Sequence, residues 1–388
     1  MATAPFTCFA IAAPGLEPLV AQELTTLGEQ PRIEDGGVTW DGDARSLMRA
    51  NLWLRTASRV LVRVARFRAT EFYEVENRAK RIPWQGFLAP GASAEFRVTA
   101  RKSKLYHSDA IAERLASGVS SRLKDAGGDG QPAAPAAPDR QLFVVRVYRD
   151  EFTISADASG GLLHMRGYRQ AVAKAPLRET LAAALLLANA WNGDVPLLDP
   201  LCGSGTIPIE GALIARRIAP GARRLFAFMR WPSFEPAEWR GLLDEAQSLA
   251  LASSPIRILG SDRDAGGIES ARSNAERAGV AGDVEFSVRA ISAIEPPAER
   301  GLLATNPPYG KRVGHRSNVG DLYAQLGNVA RERCRGWRIA MYSPDARLAK
   351  QTALPFREAL RTSNGGIKVA LIAAEVPDSA ASNPTDRG

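Results

Sequence analysis

Cysteine, histidine and aromatic side chains are all scarce in this chain. Its 388 residues include three cysteines, three histidines and 7% aromatics. Cys8, Cys202 and Cys334 lie far apart, with neither metal-site spacing nor a disulfide framework. No metal is expected, and the cysteine usage fits a reducing, cytoplasmic compartment. His107, His164 and His315 stand alone, which leaves a histidine-based acid–base centre without material. Long apolar runs are missing too. The longest candidate, Leu181 to Trp191, stops at Asn192-Gly193-Asp194, well short of the ~18 residues a membrane span needs. Met1 to Val20 has no basic start and is interrupted by Pro14-Gly15 and Glu17, so no signal peptide is expected.

What is present is globular: 45% apolar and 24% charged residues. At ~150 residues per domain the length implies two or three domains. The net charge of +8 is compatible with a nucleic-acid partner without requiring one. Basic residues cluster at Arg59, Arg63, Arg66 and Arg68, at Arg97, Arg101, Lys102 and Lys104, and at Arg166, Arg169, Lys174 and Arg178. Any one cluster also reads as a solvated face.

Pattern divides the chain in three. Residues 1–65 read as a small α+β unit, with a strand over 7–12, a helix over 15–27, a second helix over 44–54 and a strand over 60–67 that leads on into the next region. Residues 66–158 read as another, with a helix over 72–81, a strand over 94–100 and an amphipathic helix over 108–123. The Gly/Ala/Pro-rich stretch 125–140 reads as a mobile loop, and strands over 141–149 and 151–156 follow it. From about 175 onward helices and strands alternate. Strands are predicted over 195–198, 256–260, 284–288, 302–305, 338–342 and 367–376, and the tail 377–388 reads as disordered. Repeated βα units predict an α/β, doubly wound, Rossmann-like sheet with its site at the carboxyl ends of the strands.

Two motifs fall at such strand ends. Leu198-Asp199-Pro200-Leu201-Cys202-Gly203-Ser204-Gly205-Thr206 separates a buried strand from a helix. Glycines there allow a tight turn close to a ligand. No lysine is present for a phosphate loop, and Pro208 stands where a dinucleotide fingerprint needs its third glycine. Asp199 would repel phosphate and suits a ligand with a cationic centre. One strand later, Asp262 follows an apolar run and is placed to hold a ribose diol. Capping of the next helix by Asp262 or Asp264 is the other reading. The second motif is Asn306-Pro307-Pro308-Tyr309. At ordinary residue usage that string arises by chance about once in a thousand chains of this length. Two prolines stiffen the loop. The Asn oxygen and a proline carbonyl are uncharged acceptors for an exocyclic NH2, and Tyr309 offers a face for a flipped-out base. A simple proline turn is the alternative.

These residues resemble the class I S-adenosylmethionine-dependent methyltransferases that act on exocyclic amines. Arg166-Gly167-Tyr168-Arg169 and Ala175-Pro176-Leu177-Arg178-Glu179-Thr180 bring the chain closer to the THUMP-containing guanine-N2 RNA methyltransferases. The similarity runs from Gly15-Leu16-Glu17 to about Val376 and is greatest to members acting on large-subunit ribosomal RNA. Some members carry a second methyltransferase domain, which this chain is expected to lack. The resemblance implies a ferredoxin-like extension over 1–65, a THUMP RNA-binding domain over 66–158 and a methyltransferase domain over 159–388. It implies S-adenosylmethionine as cofactor, held by Thr180, Asp199, Pro200, Cys202, Gly203, Ser204, Gly205, Thr206, Asp262, Arg263, Ala290, Ile291 and Asn306. Asn306, Pro307, Pro308 and Tyr309 would hold the target base. Arg101, Lys102, Lys104, Arg166, Arg169, Arg178, Lys311 and Arg312 would face RNA, and the chain would act as a monomer. One departure stands out: where the family has an acid for the adenine amino group, this chain has Ala290. Transfer RNA as substrate, adenine-N6 methylation and a non-catalytic RNA-binding role are the alternatives.

Overall fold

The computed structural model describes residues 6–125, 140–169, 177–309 and 316–378. The loop expected over 125–140 and the tail expected over 377–388 fall largely outside the described residues. The chain divides into two compact units, one of Met1–Ile11, Ala21–Leu163 and Arg224–Asp244, the other of Ala12–Val20, His164–Arg223 and Glu245–Gly388.

The first 160 residues supply β1 (Phe6–Ile11), α1 (Glu17–Thr26), β2 (Arg32–Glu34), β3 (Gly37–Gly42), α2 (Ala44–Trp53), β4 (Arg59–Arg68), α3 (Phe72–Ala79), β5 (Ser93–Arg101), α4 (Ser108–Asp125), β6 (Arg140–Tyr148) and β7 (Glu151–Asp157). The seven strands form one sheet in the order β2-β3-β1-β4-β7-β6-β5. β4 runs across the 65/66 boundary expected from the pattern. It pairs with β1 over Arg59–Val62 and with β7 over Leu61–Arg68, so the two expected units share a strand. β6 shows the alternation that specifies one buried face: Gln141, Phe143, Val145 and Val147 are buried. On α4, Ile111, Leu115 and Val119 recur four residues apart as a buried stripe.

The rest of the chain supplies α5 (Glu179–Leu187), β8 (Leu197–Asp199), α6 (Thr206–Ala215), α7 (Pro236–Leu249), β9 (Ile258–Asp262), α8 (Ala265–Ala278), β10 (Val284–Val288), β11 (Leu302–Thr305), α9 (Arg316–Arg333), β12 (Arg338–Ser343), α10 (Ala346–Gln351), β13 (Arg357–Asn364) and β14 (Ile367–Glu375). Their sheet runs β10-β9-β8-β11-β12-β14-β13. β8 to β12 pair in parallel, whereas β14 is antiparallel to both β12 and β13. Strand order reverses between β8 and β11, which opens a crevice at their carboxyl ends. The two motifs leave the sheet there.

α7, α10 and β13 were not predicted. Arg357–Asn364 is a mostly exposed edge strand with burial only near its end, so it carries no hydrophobic alternation to reveal it. Asn364 leads into Gly365 and Gly366, both at positive φ (57° and 83°), and Ile367 resumes the ladder opposite Asn364. Such a two-residue hairpin needs two left-handed residues, and glycine adopts that backbone without steric cost.

Candidate active site

A cavity of about 1420 Å³ lies at the carboxyl ends of β8, β9 and β11. Its wall includes Asp199, Pro200, Cys202, Gly203, Ser204 and Thr206 from the first motif and Asp262 and Arg263 from the end of β9. Ala290 and Ile291 follow β10, and Asn306, Pro307, Pro308 and Tyr309 follow β11. The structure therefore brings most of the predicted cofactor and base residues to one space. Thr180 is not in the wall. It is the second residue of α5 and is buried within that helix, while Leu177, just before the helix, faces the cavity. Gly205 also stands back from the wall. Its backbone is left-handed (φ 81°), and a Cβ there would come within 2.9 Å of both Ala271 and Phe286. The glycine sets the turn and lets α6 start close against α8 and β10.

Asp199 ends β8 and is 1% exposed. Thr305 Oγ1 donates to its Oδ1 at 2.7 Å, and the Leu201 amide donates to the same oxygen at 3.1 Å. Burial nevertheless pushes its carboxyl up to about 7, with the Asp262 charge adding to the shift. Among the described residues no cation pairs with this carboxyl. Asp262 is more open. Its Oδ2 accepts from the Gly203 amide at 3.0 Å and its Oδ1 from the Asp264 amide at 3.0 Å, so it braces the glycine turn while facing the cavity. Asp264, not Asp262, caps α8, accepting from the Gly266 amide at 3.1 Å. The Cys202 thiol is buried, and burial together with Asp199 and Asp262 raises its pKa well above the usual thiol range. A thiolate nucleophile is disfavoured there.

Asn306 Oδ1 is buried and accepts no hydrogen bond among the described residues. A buried amide oxygen without a donor costs about 1–3 kcal/mol, and the cavity wall is where an incoming N–H would satisfy it. Tyr309 is 5% exposed, and Asn364 Nδ2 donates to its Oη at 2.7 Å. The cavity-lining Asn364 and the α9 residues Asp321, Gln325 and Asn328 were missed in the sequence, as was Thr305, which bonds Asp199 from behind the wall. Thr305 carried a signal, since it immediately precedes the Asn-Pro-Pro-Tyr string. Asn364 had none, because its strand was not predicted.

Arg166-Gly167-Tyr168-Arg169 has a different role from the one expected. Arg166 and Arg169 are not RNA-facing. Arg166 is buried with its Nε 3.5 Å from Glu210 Oε1, and Arg169 pairs with Glu179 and donates to the Leu177 carbonyl at 2.9 Å. Tyr168 Oη donates to Glu210 Oε1 at 3.1 Å, and its carbonyl accepts from Arg277 Nε at 2.7 Å. Arg277 in turn reaches Asn274, whose Nδ2 donates to the Ser204 carbonyl at 3.0 Å. The motif is a buried brace behind the glycine turn. Arg178 is the exposed residue before α5, and Lys311 and Arg312 lie outside the described residues.

Arg101, Lys102 and Lys104 are exposed at the carboxyl end of β5. The Arg149 amide donates to the Arg101 carbonyl at 3.3 Å, and the Lys104 amide to Asp150 Oδ1 at 2.7 Å. Lys102, Arg149 and Asp150 all have positive φ (52°, 51° and 65°) without being glycine. Beside them Tyr106 and Tyr148 are 65% and 38% exposed, with the Arg149 guanidinium 5.3 Å from the Tyr148 ring centre. Cations, aromatic faces and backbone strain coincide on this one surface.

Two family models match the chain. Residues 7–61 match the RlmL ferredoxin-like domain, and residues 166–371 match the RMKL-like methyltransferase domain. A Synechocystis protein named as a candidate RNA methyltransferase is 36% identical over 95% of this chain and 96% of its own length. The ribosomal RNA large subunit methyltransferase K/L of Psychromonas ingrahamii is 34% identical over 92% of this chain. This chain spans about half the length of that relative, 49%. Among solved structures, a candidate methyltransferase in complex with SAH superposes with a TM-score of 0.89 at 29% identity, covering 97% of this chain and 100% of that one. A Listeria monocytogenes protein, assigned by prediction to the N6-adenine-specific DNA methylases, gives 0.86 at 34% identity, covering 95% and 96%. With over half its length matched by the methyltransferase-domain model and a full-length relative at that identity, the chain belongs to the RMKL-like methyltransferase family.

Proposed function

We propose that this chain transfers a methyl group from S-adenosylmethionine to the exocyclic N2 amine of a guanosine in large-subunit ribosomal RNA. The observation that carries the reading is Asn306 Oδ1, a buried acceptor with no donor among the described residues, at the end of β11. An exocyclic amine supplies the missing N–H. The cavity residues fit the cofactor: Asp199 has no cationic partner among the described residues, Asp262 presents a carboxylate where a ribose diol sits in related folds, and the glycine turn leaves the backbone approachable. Ala290 offers no side-chain acceptor, so an adenine ring there relies on backbone groups and on packing with Ile291.

When bound, the cofactor supplies an electrophilic methyl on a good leaving group. The chain's own residues do the rest. Asp199 draws a cationic ligand toward β8. Asn306 Oδ1 and the carbonyl of Pro307 accept from the amine, withdraw its lone pair from the ring and aim it into the cavity. Tyr309 provides the wall on which the base lies. Asp199, Asp262 and the glycine turn would hold the cofactor so that its methyl passes to the amine nitrogen and the bonding pair stays on the leaving group, and the amine proton would depart once nitrogen carries the methyl. That proton is then acidic, so no strong base is needed.

Tritium transfer from labelled S-adenosylmethionine tests the reading. Undermethylated ribosomal RNA and total tRNA are incubated separately and digested to nucleosides. Label in N2-methylguanosine from ribosomal RNA is the expected result. The same nucleoside from tRNA moves the substrate, N6-methyladenosine overturns the base assignment, and no label with no cofactor binding sinks the enzymatic reading.

The exposed cations of β5 supply the RNA contact in this reading. Replacing Arg101, Lys102 and Lys104 together by alanine should weaken RNA binding and flatten its salt dependence by about two to three units of log–log slope. An unchanged slope would remove this surface from the footprint.

A further inference from the structure

Tyr309 and Asn364 both line the cavity, and Asn364 Nδ2 donates to the buried Tyr309 hydroxyl at 2.7 Å. Asn364 is 8% exposed and is the last residue of β13. Two features fix its place. The β13–β14 ladder pairs Asn364 with Ile367, and Gly365-Gly366 closes the hairpin in the left-handed backbone that such a turn requires. A tyrosine ring has a broad torsion about its bond to Cβ, so an anchored hydroxyl is an effective way to set its plane.

We propose that Asn364 is a positioning residue for methyl transfer: its side-chain N–H holds the Tyr309 hydroxyl, fixes the ring plane, and so sets the target base against the Asn306 acceptor. The inference rests on the reading of Tyr309 as the wall for the base. Asn364 acts through Tyr309 and not on the cofactor half of the cavity. Tyr309 and Asn364 are 5% and 8% exposed, so the anchor is embedded in the core.

Asn364→Leu keeps the branched shape and removes the donor. Asn364→Asp keeps a partner, because the Tyr309 hydroxyl can then donate to the carboxylate. Expected for Asn364→Leu is a fall of about tenfold in kcat/KM for RNA, the net worth of a buried hydrogen bond, with the S-adenosylmethionine Kd unchanged. Tyr309→Phe should lose a similar factor, the double variant no more than either single one, and Asn364→Asp should recover most of the loss. Independent losses that multiply in the double variant, or a parallel loss of cofactor affinity, overturn the proposal.

A second arm needs no RNA. In protein labelled with 3-fluorotyrosine at its seven tyrosines, the Tyr309 resonance is assigned by its absence from Tyr309→Phe. It should shift in Asn364→Leu and return in Asn364→Asp. Transfer by the wild type with an unmoved resonance overturns the anchor alone. No transfer by the wild type overturns the functional reading, and the role given to Asn364 falls with it.

Discussion

Asp199→Asn yields a chain that is more heat-stable than the wild type at pH 8 and does not bind S-adenosylmethionine. Burial raises the Asp199 carboxyl from 3.8 to about 7 in the folded chain. Between those values the folded state retains a proton that the unfolded state has released, so stability declines as pH rises from about 4 to about 7. Above 7 the buried carboxylate is ionised with no cationic partner among the described residues, at a cost on the order of a few kcal/mol. Asparagine keeps the acceptor for Thr305 and Leu201 and drops the charge. The melting temperature should rise by several degrees at pH 8 and by progressively less as pH falls toward 4. Wild-type affinity for the cofactor should weaken about tenfold per unit below pH 7, because only the ionised carboxyl pairs with a cationic ligand. Melting curves across this range, with calorimetric titration of cofactor at pH 6 and 8, measure both. A variant of unchanged stability at pH 8, or one that still binds cofactor, removes Asp199 from this role.

Asn306→Ala should cost about 10²–10³ in kcat/KM while leaving cofactor affinity within about threefold. The two halves of the cavity separate in this variant. Asp199, Asp262 and the glycine turn are untouched, and the acceptor for the amine is gone. Asn306 Oδ1 accepts nothing among the described residues, so its removal takes no hydrogen bond from it and should not lower the melting temperature. Single-turnover transfer to RNA, beside a cofactor titration and a melting curve, reads all three. Equal loss of transfer and cofactor binding would mean that Asn306 supports the fold rather than the reaction.

Legibility in the sequence followed burial. The strands that carry the two motifs, β8 and β11, are short apolar runs with distinctive residues at their ends, and Asp199 and Asn306 were placed from those alone. α4 announced itself through Ile111, Leu115 and Val119. β13 did not, because an exposed edge strand of charged residues has no periodicity to display, and Asn364 was lost with it. Arg166 and Arg169 misled for the opposite reason. Arginine is ordinarily a surface residue, and only their acidic partners, Glu210 and Glu179, make them interior. Those partners lie on later helices, so no local pattern could reveal the pairs. The shared sheet of the first 160 residues was hidden likewise, since β4 looks the same in sequence whether it has one neighbour or two.

The hydrogen bond from Thr305 to Asp199 joins the end of β11 to the end of β8. A cation beside Asp199 holds that carboxyl ionised, and a hydroxyl donating to a carboxylate is bound more firmly than one donating to a neutral acid. Thr305 is the residue immediately before Asn306. In the proposed reaction, filling the first half of the cavity should therefore stiffen the strand end that carries Asn306. Cofactor would then favour the later arrival of the base, an order that RNA binding measured with and without cofactor reads directly.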